Sequence, residues 1–137
     1  MILLDTSAWL EILDKGPRQV SFRERLEAAD RVLVPTLVVY EVCKFSLRRR
    51  NEATADAARG RLKKHEIVEL PEAVAADAAA NSLKYGLAMA DAIIYTLAQA
   101  YGATLVTGDS HFAGLDGVEY LAPSDAESAQ DGSPHPS

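Results

Sequence analysis

A single cysteine, Cys43, occurs in the 137 residues, so no intramolecular disulfide staples the fold. The N-terminus shows neither the basic region nor the small-residue cleavage site of a secretory signal, and a reducing, cytoplasmic setting is the expectation. Long apolar runs are also missing. The greasiest stretch, Leu87 to Ala98, is interrupted by Asp91 and falls short of the ~18 apolar residues that a membrane span needs, so no transmembrane segment is expected. The three histidines, His65, His111 and His135, are scattered, which excludes Cys/His zinc spacing, and no Gly-x-x-x-x-Gly-Lys run is present to cradle a nucleotide phosphate. Positive charge is in deficit too. The formal net charge of −6 is the wrong sign for bulk attraction to nucleic acid. The excess is uneven, because residues 122–137 hold Asp125, Glu127 and Asp131 with no Lys or Arg, leaving 14 basic against 17 acidic residues in the body.

What remains is ordinary globular material, sufficient for one core, and a single domain over residues 1–121 is expected with a disordered acidic tail over 122–137. Met1-Ile2-Leu3-Leu4 is a short apolar run without alternation, as in a strand covered on both faces, and it ends abruptly in Asp5-Thr6-Ser7. A short helix around Trp9 to Leu13 stops at Gly16-Pro17, and a second follows from about Arg18 to Ala29. Arg31 to Val34 reads as a core strand closed by Pro35. Thr36 offers an N-cap for a helix over Leu37 to Arg50, and Asn51 caps another reaching about Lys64. Glu66 to Leu70 alternates like an edge strand, and Pro71 opens an alanine-rich helix that Gly86 ends. The helix from Ala88 to Tyr101, apolar nearly all round, belongs deep in the protein and closes at Gly102. Thr104 to Thr107 and Val118 to Leu121 complete the strands. Strands separated by helices imply a three-layer α/β fold, a parallel sheet of four to five strands flanked by helices.

Four carboxylates stand where this pattern expects no charge or at a strand's carboxyl end: Asp5, Glu41, Asp91 and Asp109. Each has a plain explanation. Asp5 serves as a helix cap, Asp109 in Thr-Gly-Asp-Ser as a turn residue, Glu41 as an ion-pair partner of Lys44, and Asp91 as a complement to its helix N-terminus. Taken together, two acids at strand ends and two on apolar helix faces are explained more simply by convergence. Two unit charges ~4 Å apart repel by about 4 kcal/mol at an effective dielectric of 20, so such a cluster requires a cation or shifted pKa values. All-oxygen ligation suits magnesium or manganese.

The blocks Leu4-Asp5-Thr6-Ser7, Pro35-Thr36-Leu37 with Glu41, Met89-Ala90-Asp91-Ala92-Ile93-Ile94 and Thr107-Gly108-Asp109-Ser110-His111-Phe112 resemble, in order and spacing, those of PIN-domain ribonucleases, the VapC toxins of toxin–antitoxin pairs in particular. The resemblance covers about residues 1–121. It implies a PIN-like fold and a magnesium-dependent endoribonuclease, with manganese as a substitute ion. Asp5, Glu41, Asp91 and Asp109 are then the catalytic metal ligands, and Thr6, Ser7 and Thr107 the supporting hydroxyls. It also implies an RNA substrate, a VapB-type antitoxin partner and a homodimer or higher assembly. In many relatives a further acid stands two positions after the fourth, where this chain has His111; Asp116 is a distant alternative. Lys44 and Arg48, at i+3 and i+7 from Glu41, share nearly one helical face, with Arg48 about 10 Å along the axis, and suit flanking RNA phosphates. Arg49 and Arg50 read as a solvated helix end, and Arg59, Arg61, Lys63 and Lys64 as a more remote basic cluster. Trp9 with Val20 to Leu26 is a candidate groove for an antitoxin peptide. Two other readings are a non-catalytic PIN-like module that binds a partner, and a haloacid-dehalogenase-like phosphatase. The latter would repeat an acid two residues after the first, where Ser7 stands.

Overall fold

The computed structural model describes residues 1–123, so nearly all of the tail expected over 122–137 lies outside the described residues. Five short strands, β1 (Ile2–Leu4), β2 (Val32–Pro35), β3 (Glu66–Val68), β4 (Thr104–Thr107) and β5 (Val118–Tyr120), form one sheet in the order β3-β2-β1-β4-β5. Every neighbouring pair is parallel. Six helices flank it: α1 (Thr6–Leu13), α2 (Gln19–Ala28), α3 (Thr36–Arg49), α4 (Glu52–Leu62), α5 (Glu72–Tyr85) and α6 (Met89–Tyr101). The expected three-layer α/β architecture is present.

The unalternating runs are explained by cover on both sides, since Leu3, Leu4, Leu33, Val34, Leu105 and Val106 are all fully buried. The chain steps from β1 outward to β2 and β3, then returns past β1 to begin β4 on its other side. With right-handed crossovers this reversal sends α1 to α4 to one face and α5 and α6 to the other. It also creates a switch point between β1 and β4, where the connections leaving the two strand tips diverge and a crevice opens. Leu4 pairs with Val106, and the Asp5 N–H donates to the Val106 carbonyl at 3.3 Å, so the two tips end side by side.

Glycine and proline punctuate the helices as expected. Gly86 and Gly102 end α5 and α6 in left-handed conformations that any Cβ would strain. Asn51 caps α4 through the Thr54 N–H at 2.8 Å. Thr36 does not cap α3. It is the first helical residue, and Pro35, which has no side-chain donor or acceptor, holds the cap position. The edge strand β3 stops at Val68, before Leu70, and its outer residues Glu66 and Ile67 are exposed. In α6 Ala92 and residues 94–98 are buried, more than a full turn, so the middle of the helix is enclosed nearly all round as expected, while Met89 at its N-terminus is 74% exposed. Trp9 is 1% exposed, packed in the core beside the His65 ring at 5.5 Å between centroids. It therefore cannot line a surface groove with Val20 to Leu26, as the sequence suggested.

Candidate metal centre

Asp5 leaves β1 and is the N-cap of α1, its Oδ1 accepting from the Ala8 N–H at 3.0 Å. The capping role and a ligand role therefore coincide in one side chain. Two hydroxyls complete its shell: Ser7 Oγ donates to Oδ1 at 2.7 Å and Thr107 Oγ1 to Oδ2 at 2.6 Å. The residue is 4% exposed. Burial pushes its carboxyl above the usual range, hydrogen bonds from Thr107, Ser7 and Ala8 pull it back in part, and the charge of Asp109 pushes it up again.

Glu41 projects from the middle of α3 and accepts from Thr6 Oγ1 at 2.5 Å. No Glu41–Lys44 ion pair forms among the described residues; the Lys44 ammonium lies 5.6 Å from the Tyr40 ring centroid instead. Asp91 lies half-buried in the first turn of α6. Burial, and then the charges of Asp109, Asp5 and Glu41, push its carboxyl up to about 6, against a smaller opposing effect from His111. Asp109 follows β4 and caps a single 3-10 turn, Ser110–Phe112, through the His111 N–H at 2.9 Å. Four acids from four separated segments thus meet at the switch point, two from strand tips and one from a helix on each face.

One member of this cluster has no acid-pattern signal. His111 Nδ1 lies 3.0 Å from Asp109 Oδ1, and Asp91, Asp109 and His111 present ligand atoms all within 4.8 Å of one another, with Asp5 and Glu41 outside that tight trio. Its imidazole, 76% exposed, occupies the position where a fifth acid was looked for. Asp116 lies elsewhere, beside Thr104 and Gly117 at the amino edge of the sheet, where its carbonyl accepts from the Tyr95 hydroxyl at 2.9 Å. It contributes nothing to the cluster.

The three hydroxyls named from sequence all touch its carboxylates or the turn behind them. Besides holding Asp5, Ser7 Oγ accepts from the Gly108 N–H at 3.1 Å and Thr107 Oγ1 from the Asp109 N–H at 2.9 Å. With its hydroxyl spent in this way, Ser7 does not do the work of a phosphatase's second acid. Next to Glu41 a groove of ≈ 240 Å³ opens, lined by Thr6, Leu10, Tyr40, Lys44, Phe45 and Arg48. Lys44 and Arg48 therefore line a groove beside Glu41. The donor set fits a hard divalent cation, because burial and then the charges of Asp109, Asp5 and Glu41 raise Asp91, as expected where crowded carboxylates lack a counter-ion.

The family model described as PIN domain matches residues 2–118. Comparison with curated proteins finds no significant match. Among solved structures, a toxin–antitoxin complex from Klebsiella pneumoniae is similar at 26% identity and a TM-score of 0.74, over 87% of this chain and 96% of that one. The sarcin-ricin-loop-cleaving toxin VapC20 of Mycobacterium tuberculosis aligns at 16% identity and a TM-score of 0.72, over 85% and 95%. VapBC2 of Rickettsia felis, bound to a promoter DNA fragment, aligns at 20% and 0.70, over 89% and 98%. The last two identities speak for the fold alone.

Proposed function

We propose, on the premise that the chain belongs to the PIN domain family, that it is a magnesium-dependent endoribonuclease and the toxin of a toxin–antitoxin pair. The observation that carries this reading is the meeting of Asp5, Glu41, Asp91 and Asp109 at the carboxyl edge between β1 and β4, where burial and then the charges of the other three raise Asp91. These four would hold the cation, with His111 as an added donor to Asp91 and Asp109. When bound, magnesium, or manganese in its place, supplies an activated water and neutralises charge on the scissile phosphate.

The chain's own residues prepare that chemistry. Ser7, Thr107 and the Ala8 amide engage both oxygens of Asp5 and fix its plane, and Thr6 does the same for one oxygen of Glu41. Attack by water in place of the ribose 2′-hydroxyl, with the 3′-oxygen as the leaving group, would give a 5′-phosphate and a 3′-hydroxyl. Lys44 and Arg48 lie in the adjoining groove and offset repulsion between an acidic site and a polyanion. The similarity to a toxin–antitoxin complex supports an antitoxin protein as partner, and self-association is part of the same reading.

Purified protein incubated with total RNA, in magnesium or in EDTA, tests the activity. Cleavage is expected in magnesium alone and is expected to disappear in Asp5→Ala and Asp91→Ala while both proteins remain folded. Near wild-type cleavage by either variant would show that the assignment is wrong.

A further inference from the structure

We propose that Arg18 is a positioning residue for the acid cluster, a guanidinium clamp that sets the orientation of Asp109; the inference rests on the metal-site reading above. Arg18 sits in the connection between α1 and α2, far in sequence from every acid at the site. Its Nη1 donates to the Gly108 carbonyl at 3.2 Å and to the Leu121 carbonyl at 2.9 Å. Its Nε and its backbone N–H both donate to Glu11 Oε1, at 3.3 and 2.8 Å. The Arg18 and Glu11 side chains are only 19% and 17% exposed, so this is a sheltered, multiply bonded pair and not a solvated surface contact.

The Gly108 carbonyl belongs to the peptide unit that carries the Asp109 N–H. That N–H donates to Thr107 Oγ1 at 2.9 Å, and Thr107 Oγ1 in turn donates to Asp5 Oδ2 at 2.6 Å. Arg18 therefore grips one end of a peptide plane whose other end is wired to Asp5. Without it the plane is held from its Thr107 end alone, and Asp109 can shift relative to Asp5 and Asp91. Lysine is no substitute, since a single ammonium lacks the planar fork that serves two carbonyls and a carboxylate together.

Gly108 gives independent support. A Cβ at this position would lie 2.9 Å from Arg18 Nη1, 3.1 Å from Cζ and 3.2 Å from Nη2. The guanidinium lies against the turn, with the Phe22 ring centroid 5.9 Å from Cζ. Such a contact is relieved cheaply only when the side chain is free to move, and this one is pinned to Glu11 and to two carbonyls. Glycine at 108 thus makes room for the clamp.

The test is Mn²⁺ affinity, read by the electron paramagnetic resonance of free ion, in wild type, Arg18→Lys, Gly108→Ala, their double variant, Arg25→Gln and Asp5→Ala. Arg18→Lys and Gly108→Ala are each expected to weaken binding about tenfold or more, the usual cost of disturbing a ligand's supporting partner. The double variant should be no worse than either single, because both break one clamp. Arg25→Gln is the control for general loosening, since Arg25 ties α2 to Glu119 of β5 at 2.9 Å without touching the turn; it should lower the melting temperature and leave affinity unchanged. Gly108→Ala carries the test if Arg18→Lys fails to fold. Affinity within twofold of wild type in Gly108→Ala or in a folded Arg18→Lys, or an equal loss in Arg25→Gln, would overturn the clamp alone. Wild-type binding that Asp5→Ala does not reduce would overturn the metal site itself, and the clamp with it.

Discussion

Asp91 holds its proton up to about pH 6, against 3.8 for an unperturbed aspartate, first because it is half-buried and then because Asp109, Asp5 and Glu41 surround it. A carboxyl whose pKa is higher folded than unfolded favours folding while it is protonated. That contribution is complete below pH 3.8 and is lost as pH rises through about 6, where the folded state must carry the charge. Asp91→Asn keeps the shape and deletes the charge, so without metal the variant should melt above wild type at pH 7. The two should converge below about pH 4. We expect on the order of 1 kcal/mol at pH 7, with the shift discounted heavily because a half-exposed carboxylate is screened by water. Melts in EDTA across this range decide it; an Asn variant less stable at every pH would mean that Asp91 merely serves the helix N-terminus. Each acid was visible in the sequence as a charge out of pattern, but two neighbours were not. His111, in the single 3-10 turn after β4, stands in a stretch too short for periodicity to mark it as meeting Asp91. Arg18 acts on backbone carbonyls, which leave no trace in residue identity.

Helix α3 joins the site to its surroundings. Its first half is buried through Val38 and Val42, its middle presents Glu41, and its last turns carry Lys44, Arg48 and Arg49, as a helix C-terminus favours. Arg49 stacks over Phe45 at 5.1 Å and Lys44 over Tyr40, whereas Arg48 completes the groove wall next to Glu41. If RNA runs along this groove, Lys44→Ala with Arg48→Ala removes two phosphate contacts. The slope of log affinity against log salt should then become shallower by about 1.4, from ~0.7 for each single-strand contact. An unchanged slope across a salt series would leave both as solvated helix charges. The bounds of this helix were legible because Pro35 and the Arg48-Arg49-Arg50 run bracket an apolar pattern. Its cap was misread, since Thr36 has the right chemistry but stands one residue too far inside. Strand β3 was overextended for a related reason: alternation continues to Leu70, but hydrogen bonding to β2 ends where Val68 faces Pro35.

At the scale of the whole molecule, strands alternating with helices announced the layers, but strand order could not be read, because nothing local says on which side of β1 the chain returns. That return makes the switch point, and it brings an α3 residue from one face and an α6 residue from the other over the same strand tips. The acids sit together in a protein already at −6 overall, so the folded state gains from a cation that the unfolded chain cannot bind as well. Magnesium at 100 times its dissociation constant should stabilise the protein by about 2.7 kcal/mol, or roughly 10 °C in melting temperature for a domain of this size. The gain should depend on pH in a direction fixed by Asp91, whose proton must leave before the carboxylate can ligate. At pH 5, one unit below its value of about 6, the apparent affinity falls about tenfold, and about 1.4 kcal/mol of the gain goes with it. The quantity to measure is the difference between melts in magnesium and in EDTA at each pH, which cancels any acid destabilisation common to both. A magnesium gain of equal size at pH 5 and pH 7 would mean that the ion binds away from Asp91, and no gain at either pH would mean that the cluster does not hold it.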